Sequence, residues 1–230
     1  APAAEQLYRE LLRINRANPI ALHFYGVLNY QMGLSEAALE LMDEAVKHAP
    51  RDPSVKSNRG EVLRSMGRYE EALSAYRDAT RLAPEYMDAW NNLALVLASL
   101  DRLGEAEHAA RKVIKLAPQA LEGHMVLAQV RWARADYAGC ATACEAALAV
   151  DSQCAEAAFK MGLCSSELGQ PEDARRWFES ALALAPNAVE ARLALVDLDL
   201  AQGDLGAAWE RIGYLNDAAD IPIQVSARLG

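Results

Sequence analysis

The 230-residue sequence predicts an all-α repeat protein, a solenoid of antiparallel helix hairpins. Three observations predict it. Pro50, Pro84, Pro118 and Pro186 stand 34, 34 and 68 residues apart, with Ser152 at the missing multiple, which marks a 34-residue period. Small residues recur at fixed places in that period. Within each copy apolar residues return every three or four positions on both sides of a central break, the pattern of two amphipathic helices joined by a short turn.

The elements follow in order from the period. Residues 1–18 form a partial repeat, in which Ala4, Tyr8 and Leu11 take the twentieth, twenty-fourth and twenty-seventh positions, those of a second helix. Six full copies follow, at 19–52, 53–86, 87–120, 121–154, 155–188 and 189–222. Their eighth positions read Gly26, Gly60, Ala94, Ala128, Gly162 and Val196, and their twentieth Ala38, Ala72, Ala106, Cys140, Ala174 and Ala208. Small residues are expected there because two helices must approach closely. Gly33, Gly67, Gly169 and Gly203 occupy the break in four copies, where a helix C-terminus needs positive φ. The third copy breaks near Asp101 to Leu103, and proline stops or restarts the chain between hairpins. Ile223 opens a seventh copy, truncated at 223–230, with Leu229 and Gly230 at its seventh and eighth positions. An array normally ends in a repeat with a polar outer face, so the chain is expected to be a piece of a longer protein whose remainder carries any chemistry.

Composition narrows the class. With 52% apolar and 24% charged residues the chain can bury a core, and no run of apolar residues is long enough to span a membrane. The N-terminal stretch carries no positively charged segment leading into an apolar one, so no secretory signal is read. Cys140, Cys144, Cys154 and Cys164 lack the paired short spacings of a zinc ribbon, and a reducing, cytoplasmic setting is expected.

The repeats resemble the tetratricopeptide repeat family. The resemblance is carried by Trp90, Leu93, Ala94, Leu97, Ala106 and Pro118 in the third copy, and by Gly60, Tyr69, Ala72, Tyr76, Ala79 and Pro84 in the second. It covers the whole chain as a single array, and implies a right-handed superhelical solenoid whose first helices line a concave groove. Lys56 and Arg192 depart from the family pattern where a bulky apolar residue is usual, and so do Asn29, Arg131, Ser165 and Asp199 at another such position.

No enzyme signature is found. His23, His48, His108 and His124 fall at four different repeat positions, and none pairs at the i, i+4 spacing of a helical metal site. Nucleophile elbow, Walker loop and dinucleotide fingerprint are absent. Cys140 and Cys144 lie one turn apart, as two metal thiolates would, but their positions face the packed interior, where cysteine acts as a small apolar residue. The expectation is a protein without cofactor or metal and without catalysis inside these residues.

What remains is the groove. Its second position reads Ile20, Ser54, Asp88, Glu122, Glu156 and Glu190, a carboxylate in four consecutive copies. Favourable interaction with the helix dipole explains such a ladder as readily as ligand binding does. Residues 1–118 hold 15 basic against 16 acidic side chains, net −1, whereas 119–230 hold 8 against 16, net −8. Asn58, Asn91, Asn92, Met125, Gln129, Trp132 and Phe159 share the face, with burial against neighbouring hairpins an equal reading of the large apolar ones. An acidic groove with apolar patches predicts a protein or peptide partner bearing Lys or Arg beside hydrophobic residues, and excludes nucleic acid and membrane insertion.

Asn58 and Asn92 share the sixth position, and residues 89–107 are similar to repeats of the O-linked N-acetylglucosamine transferase family, in which a ladder of asparagines holds the acceptor backbone. Phe24, Val126, Lys160 and Ala194 interrupt that ladder here. Residues 17–50 also resemble the repeat regions of bacterial proteins that join such repeats to a glycosyltransferase, flagellin-modifying ones included. His23, Val27, Ser57 and Glu61 do not supply the basic and asparagine residues of a carboxylate clamp for chaperone tails. The first expectation is therefore the acceptor-recognition region of a larger bacterial glycosyltransferase, and the second a free-standing scaffold for a secretion, pilus or organelle complex.

Overall fold

A computed structural model describes residues 2–217, with side chains described for 3–213. The expected truncated repeat at 223–230 lies outside the described residues, as does the side chain of Leu215. The described residues form an all-α solenoid of paired antiparallel helices, divided into two compact units, Ala1–Ala133 and Arg134–Gly230.

The first unit holds α1 (Pro2–Ile14), α2 (Pro19–Gln31), α3 (Ser35–His48), α4 (Pro53–Ser65), α5 (Tyr69–Leu82), α6 (Met87–Ser99), α7 (Leu103–Leu116) and α8 (Leu121–Ala133). Hairpins α2–α3, α4–α5 and α6–α7 pack internally and against the next hairpin, while α1 packs on α2 and α8 on α7. The first helices also lie side by side, α2 against α4, α4 against α6 and α6 against α8, and so form one layer of the unit. Pro19 and Pro53 open α2 and α4 at a position whose N–H has no helical partner, and the preceding Asn18 and Asp52 accept two backbone N–H groups each.

The second unit holds α9 (Tyr137–Val150), α10 (Ala155–Glu167), α11 (Pro171–Leu184), α12 (Val189–Ala201) and α13 (Leu205–Asp217). Here α9 packs on α10, α10 pairs with α11, α11 meets α12, and α12 pairs with α13. Phe178, Ala174 and Leu195 form one buried cluster, and Ala158, Ala181 and Ala191 another.

The break between the helices of a hairpin has one conformation throughout. Gly33, Gly67, Gly169 and Gly203 have φ of 72–78°, and Asp101 and Ala135, which hold the same position in the other two copies, have φ of 57° and 56°. The turn geometry is thus retained even where the residue is not glycine.

Four of the six side chains that depart from the repeat pattern make these polar contacts. Lys56 pairs with Asp78 at 2.8 Å, Arg192 donates to the Pro186 carbonyl at 2.8 Å, and Asn29 donates to the Tyr25 carbonyl at 2.8 Å. Asp199, 1% exposed, sits between Arg175 of α11 at 2.6 Å and Arg211 of α13 at 2.8 Å. A buried carboxylate is tolerable because two guanidiniums neutralise it.

Candidate binding faces of the first helices

In the first unit, Asn58 of α4 is half-buried and its Nδ2 donates to Nε2 of the buried His23 of α2 at 2.7 Å. Burial holds His23 below the ordinary histidine value, and the nearby Asp52 carboxylate opposes that shift. Asn58 is thus engaged by its neighbour. Glu61, one turn along α4, accepts from Arg64 at 2.6 Å, from Tyr76 at 3.1 Å and from Tyr30 at 3.3 Å. Burial alone would push this carboxyl up; those partners outweigh it and hold it below the usual value. On α6, Asp88 is exposed, Asn91 and Asn92 are half-buried, and Asn91 Oδ1 is buried without a hydrogen-bond partner among the described residues. On α8, Glu122 and Gln129 are exposed and Met125 and Trp132 half-buried.

In the second unit the structure brings Glu156, Phe159 and Glu190 together. They line an open cleft of about 380 Å³ between the starts of α10 and α12. Its floor consists of Ala181 and Ala191, both buried, and Ala155 and Ala188, both half-buried; Phe159 forms a wall, and Glu156, Lys160 and Glu190 carry the charges. The Phe159 ring is braced by Phe178, centroid to centroid 5.6 Å. Neither Glu156 nor Glu190 makes an ion pair among the described residues. A larger concavity, about 450 Å³, lies over α5, and its two arginines are taken up by carboxylates: Arg77 pairs with Glu105 at 2.7 Å and Arg81 with Asp78 at 2.6 Å.

Lys160, Ala188 and Ala191 were not singled out by sequence reasoning as binding residues. Lys160 registered only as an interruption of the asparagine ladder, and Ala188 and Ala191 not at all; the cleft exists because three helices meet around short side chains. Cys140, Cys144 and Cys164 have no exposure at all and lie together between α9 and α10, in the packed interior. No group of three or more His, Cys, Asp or Glu suited to a metal ion occurs among the described residues. No helix among them is long and apolar enough to cross a membrane.

Paired antiparallel helices that repeat with this register define an all-α repeat array, the architecture of non-catalytic protein-interaction modules. Residues 58–120 and 155–188 match models of the tetratricopeptide repeat family. No curated protein matches the sequence. Among solved structures the chain is similar to PilW, a widely conserved type IV pilus biogenesis factor, at 16% identity and TM-score 0.83 over 92% of this chain and 98% of that one. It is similar to PilF of Pseudomonas aeruginosa at 17% identity and TM-score 0.75, covering 87% and 91%. YrrB, a repeat protein with an unusual peptide-binding site, aligns at 19% identity and TM-score 0.67, covering 81% and 96%. At these identities the likeness is one of fold.

Proposed function

We propose that the protein is an assembly scaffold that captures a segment of a partner protein on the inner faces of its first helices, as part of building a pilus or comparable multi-protein structure. The observation that carries this reading is the set of exposed carboxylates at one repeat position, Asp88 and Glu122 in the first unit and Glu156 and Glu190 in the second, beside half-buried apolar side chains. Such faces suit a partner that brings cations and apolar groups together. The stated role of PilW, and the peptide site of YrrB, favour assembly over glycosyl transfer. The likeness of residues 17–50 to glycosyltransferase-linked repeats rests on positions common to all such repeats and gains no further support. The four free cysteines fit a reducing compartment, and the acidic second half disfavours nucleic acid.

The test is site-specific photocrosslinking in the source cells. A benzophenone side chain at Asp88, Gln129 or Glu156 is expected to yield discrete adducts with a common partner, and one at Arg81 or Arg176, on second helices, is not. Adducts from the second-helix positions alone would place binding elsewhere, and loss of a protein glycan rather than of an assembled structure on deletion would restore the glycosyltransferase reading.

A further inference from the structure

The cleft at the starts of α10 and α12 combines an uncovered apolar floor with uncompensated negative charge. We propose that it is an anchor subsite for a polypeptide segment in which Lys or Arg adjoins a bulky apolar residue; the inference rests on the protein-binding reading above and specifies the chemistry of the bound segment.

The apolar half of the site arises from side-chain size. Ala155, Ala188 and Ala191 present only a methyl group where larger residues would close the space, so about 380 Å³ stays open beside the Phe159 ring. A cavity of that size takes a leucine or aromatic side chain and part of its neighbour, and the braced ring offers a fixed face for it. The charged half is set by what the carboxylates lack. Glu156 and Glu190 are exposed, with no ion pair among the described residues, and Lys160 is the single cation at the mouth, leaving an excess of one negative charge. Residues 119–230 as a whole carry net −8, so the surrounding field has the same sign. An acidic segment would meet two carboxylates, and an uncharged one would leave them as they are in the free protein. A cationic segment gains both contacts, and a guanidinium can also stack on Phe159. The concavity over α5 lacks these properties: Leu73 is the one apolar residue of its lining, and its two arginines pair with Asp78 and Glu105.

The experiment is a titration of the isotopically labelled full chain, followed by amide resonances, with a capped hexapeptide Gly-Lys-Phe-Lys-Leu-Gly. Analogues with Glu for both Lys, or Ala for Phe and Leu, serve as comparisons. The proposal expects the first peptide to shift amides at the starts of α10 and α12 and both analogues to bind several-fold more weakly. The double substitution Glu156→Gln/Glu190→Gln, at exposed positions, should weaken binding roughly five-fold and flatten its salt dependence. Lys160→Met should tighten it, and Ala188→Leu should abolish it by filling the space. If the peptide shifts resonances only within Ala1–Ala133, or binds the Gln variant as tightly as the native chain, the subsite is wrong while the protein-binding reading stands. If none of the three peptides moves any amide at millimolar concentration, the subsite is wrong, and crosslinking from Asp88, Gln129 and Glu156 decides the protein-binding reading separately.

Discussion

A Cβ added to Gly60 would lie 2.8 Å from Cε1 of Tyr76, so the eighth position of this repeat and its twenty-fourth share one volume. Gly26 stands in the same relation to Met42, and Gly162 to Phe178. Where the eighth residue is Ala94 or Ala128, the twenty-fourth shrinks to Ala110 or Cys144, and in the last copy Val196 shares a buried cluster with Ile212. The glycines are therefore volume partners of large side chains. Gly162→Ala is expected to destabilise the fold by about 1–3 kcal/mol, since the fully packed Phe178 ring cannot retreat. Adding Phe178→Leu should recover part of that loss in urea unfolding, and equal, additive losses from the two changes would show that the volumes are independent.

The turn position gives a prediction of opposite sign. Ala135 and Asp101 hold φ of 56° and 57°, a conformation unfavourable for residues with a Cβ. Ala135→Gly should stabilise the protein by roughly 0.5–1 kcal/mol, after allowing for glycine's greater freedom in the unfolded chain. Asp101→Gly should gain less, because Asp visits this region more readily. The reverse change, Gly169→Ala, meets nothing within 4 Å and so isolates the backbone cost. Calorimetric midpoints of the three variants check the order.

Much of this was legible in the sequence. Each full copy was expected to begin at Pro19, Pro53, Met87, Leu121, Ala155 or Val189, and each of those residues begins a helix. Prolines, glycines and small residues at fixed spacing report backbone requirements, which are local and therefore readable. Relations between distant side chains are not. Nothing in the spacing of Asp199, Arg175 and Arg211 announces that they meet, and Asn58 and His23 are 35 residues apart. The cleft was half visible: Glu156, Phe159 and Glu190 could be placed on one face, but the space itself depends on which alanines happen to surround it.

His23 makes stability depend on pH near neutrality. Its imidazole is buried and accepts a hydrogen bond from Asn58 in the neutral form, so its folded pKa lies below the value of about 6.5 expected in the unfolded chain. Between those two values the unfolded state binds more protons than the folded one, and stability falls as pH falls. The loss begins near the unfolded pKa and levels off below the folded one. Urea unfolding of the native chain should show this decline, and His23→Gln, which keeps a polar side chain toward Asn58, should remove it. Losses further into acid are a separate matter, because the Glu61 and Asp52 carboxyls are held below their usual values and protonate later. A native decline identical to that of His23→Gln would refute the assignment.

Asp199 is the remaining test of how the second unit holds together. Its carboxylate joins three helices through Arg175 and Arg211, whose side chains keep 21% and 26% of their exposure. Asp199→Ala removes the shared acceptor and leaves two cations facing each other across a packed interface. The expected loss is about 2 kcal/mol, less than for a wholly buried pair because both guanidiniums can still reach water. Asp199→Leu combined with Arg175→Met and Arg211→Met replaces charge with apolar volume and should recover most of the stability, since a buried ion pair contributes little beyond what good packing would. If the triple variant is no more stable than Asp199→Ala, the carboxylate is doing more than neutralising its partners, and orientation of α13 against α11 and α12 becomes its role. Amide exchange along α13 distinguishes the two, because loss of orientation would lower protection there while leaving α10 unchanged.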